Sequence, residues 1–128
     1  MSYQELSEHF RHIGHLEHVG AIIDWDEAVM MSARGGANRA EAQASLGVLV
    51  HGLYSDPRVA DWLVAAESEA LSGTERANLR EMRREHVRAT ALDADLVEAR
   101  TRAAAPCEQA WRTQRGENDW EGHRPLLE

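Results

Sequence analysis

The chain has 128 residues, 43% of them hydrophobic and 28% charged, the size and composition of a single folded domain that buries roughly two-thirds of its unfolded surface. Twenty-two acidic residues stand against 14 basic ones, all arginine, and a net charge of -8 argues against a nucleic-acid or anionic-membrane partner. The one cysteine, Cys107, forbids an internal disulfide, and neither a signal-peptide run nor a membrane-length apolar run is present, so a cytoplasmic location is expected.

From the start, Tyr3, Leu6, Phe10, Ile13, Leu16, Val19 and Ile22-Ile23 recur at steps of three and four, predicting a long amphipathic helix with Ser2 as N-cap. It carries His9, His12, His15 and His18. Each step of three turns back about 60° around a helix, so at most two of them can share an ion. His12 and His15 are the candidate metal pair, needing an outside ligand; the alternative is a set of histidines on a solvated face.

Helical periodicity breaks from Ile22 to Arg39, in IIDWDEAVMMSARGGANR, which places a tryptophan between two acids ahead of paired methionines and a Gly35-Gly36 hinge. So many large side chains predict a packed irregular wedge over about 24–36 rather than a flexible linker. Trp25, Asp26 and Met31 either line a peptide-binding groove or fix the turn between two helices. In the second case Trp25 anchors the core and Arg39 pairs with one of the acids.

A second helix starts at Gly36 or Asn38, with Ala40, Ala44 and Val48 along one side. Asp56-Pro57 is an N-cap with proline at the first helical position, and Val59, Trp62, Leu63, Ala66 and Ala70 form the stripe of a third helix. Ser72 and Glu75 form a capping box for a fourth, over about 73–90. Its Arg76, Arg80, Arg84 and Arg88 could grip a carboxylate or phosphate, but Glu81 and Glu85 stand three before Arg84 and Arg88, as on a solvated face. Leu79, Met82 and His86 make a sparse apolar side, which predicts an edge position.

Asp93 caps a fifth helix carrying Leu96, Val97, Ala103, Ala104, Cys107 and Trp111, which Pro106 should bend and Gly116 should end or weaken. Cys107 has no histidine near it in sequence and reads as a packed thiol. Asn118-Asp119-Trp120-Glu121 is another cap, before a short helix with Leu126 and Leu127. Trp111 and Trp120 are expected in the core or over an apolar patch. The chain stops in mid-pattern, as a segment of something longer would.

These signals add up to an all-α bundle of five to six helices, one domain over 1–128. Two separated stretches then resemble a known family. Ile22-Ile23-Asp24-Trp25-Asp26 with Met31, Gly35-Gly36 and Arg39 is similar to the "LL-x-WD…MP-x-GG…R" segment near the start of the carboxypeptidase Taq (M32) metallocarboxypeptidases. Trp111 to Trp120, with Pro125 and Leu127, resembles that family's "W-x-x-AR-x-x-ND-F-x-x-F-x-P-x-L". The resemblance covers essentially this whole chain and about the first quarter of a family member.

The resemblance implies an all-helical fold and, for complete members, zinc- or other metal-dependent removal of C-terminal amino acids. That chemistry needs His-Glu-x-x-His, whose histidines hold the metal and whose glutamate activates water. Here no two histidines stand four apart, so no catalytic or cofactor-binding residue carries over. The sequence departs from the family pattern at Ser32 (proline), His123 (phenylalanine) and Pro106, in a helix usually uninterrupted. A non-catalytic M32-like module is expected, paired with itself or with a helical protein partner. The alternatives are a small helical metal- or ligand-binding protein, or one part of a split zinc carboxypeptidase.

Overall fold

The computed structural model describes residues 1–32 and 34–128. Among them are six α-helices and no strand: α1 (Ser2–Val29), α2 (Gly36–Tyr54), α3 (Pro57–Ala66), α4 (Gly73–Thr90), α5 (Ala94–Glu117) and α6 (Trp120–His123). A 3₁₀ turn, Arg124–Leu126, follows. No helix among the described residues is long and apolar enough to cross a membrane.

The expected wedge is shorter than its sequence suggests. α1 runs straight through Trp25 and Asp26 to Val29, and Met1 rather than Ser2 occupies the N-cap position. Nothing in Asp-Trp-Asp-Glu-Ala-Val resists helical backbone; what changes there is the face that is buried. The helix stops where the amides of Met30 and Met31 both donate to the Asp26 carbonyl, at 2.8 Å each. Only residues 30–35 connect α1 to α2, and Ala33 lies outside the described residues.

The main core is built by the N-terminal half of α1 against α3 and α4. Leu6, Val59, Leu63, Ala66, Leu71 and Leu79 form one buried cluster, with Tyr3, Phe10, Trp62 and Met82 packed against it. Fully burying one such leucine or valine is worth about 1.5–3 kcal/mol. Ala70, expected in the α3 stripe, lies beyond the helix end and is exposed.

Helix starts follow the local chemistry. Asp56 accepts from the Arg58 amide with Pro57 at the first helical position, and Ser72 and Glu75 make both bonds of the capping box. Asp93 occupies the N-cap of α5 without a side-chain bond. α5 continues across Pro106, whose missing N–H leaves the Arg102 carbonyl without its helical donor. Gly116 does not end it: Asn118 does, in the left-handed region at φ 55°, ψ 33°.

Two histidines hold the C-terminal end of α2. His9 Nε2 donates to the Leu53 carbonyl at 2.8 Å and His86 Nδ1 to the Tyr54 carbonyl at 2.7 Å. These are carbonyls that a helix end leaves without intrahelical partners. His9 also packs edge-on against Trp62. It is a structural residue that ties α1 and α3 to the end of α2.

Candidate functional site

α2 lies between α1 and α5, and the three helices enclose a groove of about 830 Å³. Leu16, Gly20 and Asp24 of α1 form one wall, Leu46, Gly47 and Val50 of α2 the floor, and Leu96, Val97 and Ala104 of α5 the other wall. Gly47 keeps the floor low, with only Thr101 of α5 within 4 Å of where its Cβ would stand. Beside the groove, Tyr54 donates to Glu17 at 2.8 Å, and burial together with that carboxylate pushes its phenol above the ordinary tyrosine range.

One end of the groove is polar and closed by Glu27, which is only 6% exposed. Its carboxylate accepts from Gln43 Nε2 at 2.9 Å and from Gln109 Nε2 at 2.7 Å. Arg112 Nη1 donates to the Glu27 carbonyl at 2.9 Å, and Gln43 Nε2 also reaches Asp24 Oδ1 at 2.8 Å. One buried acid thus joins three helices. The sequence hides it, because a glutamate breaks the apolar pattern that marks buried positions.

The four residues singled out in the wedge do not converge on one site, and only two of them pair. Asp26 and Arg39 meet, Nη2 to Oδ2 at 2.6 Å, and Arg39 Nη1 also reaches the Ile23 carbonyl at 3.3 Å. Met31 lies over Gly35, where an added Cβ would come 3.0 Å from Met31 Cγ and 3.3 Å from the Ser32 carbonyl oxygen, a tight approach. None of Trp25, Asp26, Met31 and Arg39 lines the groove. Trp25 is not a core anchor either: it is 59% exposed, turned about 100° and 140° around α1 from Asp24 and Gly20.

Ile22 and Val29, 54% and 60% exposed, fall within about 60° of Trp25 around the same helix, making an outward apolar stripe. Trp111 and Trp120 are also exposed. The candidate metal pair His12 and His15 is solvent-facing, and among the described residues no three His, Cys, Asp or Glu side chains stand close enough to hold an ion. In the arginine stripe Arg84 pairs with Glu81 and Arg88 with Glu85, at 3.3 and 3.2 Å. Cys107, distant from any histidine in sequence, has Sγ 3.7 Å from Nε2 of His123.

The model of the carboxypeptidase Taq (M32) metallopeptidases matches residues 5–128. The chain belongs to this family. Thermostable carboxypeptidase 1 of Thermus thermophilus is 32% identical over 130 residues, covering 98% of this chain and 26% of that protein. The solved structure of Trypanosoma cruzi metallocarboxypeptidase 1 superposes with a TM-score of 0.77 at 33% identity, again over 98% of this chain and 26% of the other. The chain therefore spans about a quarter of the length of these two proteins. In this chain the first of the two stretches that resemble the family holds the Asp26–Arg39 pair and the Gly35 turn.

Proposed function

We propose that the chain is a non-catalytic M32-type helical module that works by association, and that the outward stripe of α1 docks against the same stripe of a second copy. The observation that carries this reading is Ile22, Trp25 and Val29 standing more than half exposed along one helix face. A contiguous apolar stripe of this kind marks an interaction surface, and a surface that is complementary to itself closes as a two-fold dimer. The sequence, without His-Glu-x-x-His, supplies no metal-held water, which supports the non-catalytic half of the proposal.

Light scattering coupled to gel filtration tests the association. The wild type should run as a dimer at tens of micromolar, and Trp25→Glu combined with Ile22→Ser should run as a monomer with unchanged helicity. A wild-type monomer across that range sinks the reading. Incubation with a blocked C-terminal dipeptide and added zinc or cobalt should release no amino acid from this chain alone.

A further inference from the structure

Cys107 and His123 stand sixteen residues apart and meet where α6 turns back onto the end of α5. His123 is 5% exposed, and its two ring nitrogens have different partners. Nδ1 lies 2.9 Å from Gln114 Oε1; an amide oxygen only accepts, so the proton is assigned to Nδ1. Nε2 is left with its lone pair, 3.7 Å from the sulfur of Cys107, a half-buried residue. A thiol, an imidazole and a side-chain amide that fixes the imidazole's tautomer are the elements of an assisted thiol nucleophile.

The surroundings indicate what could reach the sulfur. Trp111, one turn along α5 from Cys107, has its ring 5.0 Å from that of His123, and the Arg115 guanidinium stands over the same indole at 5.4 Å. Arg115 makes no ion pair among the described residues. An aromatic face with a cation above it suits a small ligand carrying carboxylates.

We propose that Cys107, His123 and Gln114 form a thiol–disulfide exchange site for a small anionic peptide disulfide of the oxidised glutathione class. His123 Nε2 takes the thiol proton as Cys107 Sγ attacks one sulfur of the incoming disulfide. The disulfide's S–S bond breaks, a Sγ–S bond forms, and the departing thiolate takes the proton back from His123. The disulfide is the only oxidant: one of its sulfurs leaves as a thiol and the other stays as the mixed disulfide on Cys107. Gln114 is a positioning residue, acting through the imidazole.

Intact-mass spectrometry after mixing the protein with oxidised glutathione reads the rate of adduct formation. The wild type should gain one glutathione at pH 7, Cys107→Ser none. His123→Phe, the residue of the family pattern, should react about 10-fold or more slowly at pH 7, since positioned proton transfer supplies rate factors of that order and above. The two rates should converge above about pH 10, where a thiol needs no base. Gln114→Ala should slow the reaction several-fold at pH 7, and circular dichroism checks each variant's fold. If His123→Phe fails to fold, His123→Gln is read in its place. Equal rates for the wild type and the His123 variant at pH 7, or no adduct on the wild type, overturn the proposal.

Discussion

Arg39 Nη2 lies 2.6 Å from Asp26 Oδ2, so an ion pair spans the α1–α2 connection, and the same guanidinium ties back to the Ile23 carbonyl. Both side chains are about a third exposed, which keeps the contribution small. Arg39→Ala should lower unfolding free energy by about 0.5–1 kcal/mol, measured by urea titration. A double-mutant cycle with Asp26→Ala should return a coupling within that range, and zero coupling would mean that the pair contributes nothing to the hairpin.

Glu27 should matter more than any of the wedge residues recognisable in sequence. Glu27→Ala removes the acceptor shared by Gln43 and Gln109; Gln43 keeps Asp24, but the Gln109 amide is left without its partner, and a partly buried amide in that state costs about 1–2 kcal/mol. Glu27→Gln keeps one acceptor oxygen and should lose less. The urea midpoint decides it; a change no larger than the roughly 0.5 kcal/mol of an ordinary surface substitution would show that water replaces the carboxylate.

Trp25 should show the opposite behaviour. Its indole is mostly in solvent, so Trp25→Ser should leave the melting temperature of dilute protein nearly unchanged, within about 0.5 kcal/mol. A drop of several kcal/mol would place it in the core after all.

Asp56 sets an acid limit on α3. The Arg58 side chain and amide that bond its carboxyl hold it down to about 2, below the roughly 3.9 of an unfolded aspartate. A depressed folded value means that this stabilisation is complete above about pH 4 and is lost as pH falls through about 2. Asp56→Ala should cost about 1 kcal/mol at pH 7 through the lost cap, and the difference from wild type should shrink steadily from about pH 4 down to pH 2. Stability curves of the two proteins from pH 7 to pH 2 check the sign; parallel curves would contradict it.

The starts of α3 and α4 were readable from sequence because Asp56-Pro57 and Ser72…Glu75 act through neighbouring backbone, and local chemistry is what a sequence displays. The end of α1 was not. Apolar periodicity reports which face is buried, and where α1 leaves the main core its pattern breaks while its backbone continues to Val29. Asn118 rather than Gly116 ends α5 because asparagine also tolerates the left-handed region, so composition alone left the choice open. The roles of His9, His86, Glu27 and His123 depend on partners 9 to 85 residues away, and only the folded chain brings those groups together.

α5 contains no buried residue and rests chiefly on α2, whereas the main core is shared among α1, α3 and α4. The molecule should therefore open in stages. Amide hydrogens along α5 should exchange through a partial opening that leaves the Leu6–Leu63 region closed, giving two protection plateaus in native-state hydrogen exchange. Thr101 and Ala104 on that helix would be exchanging with solvent while Val59 still waits for the whole chain to unfold.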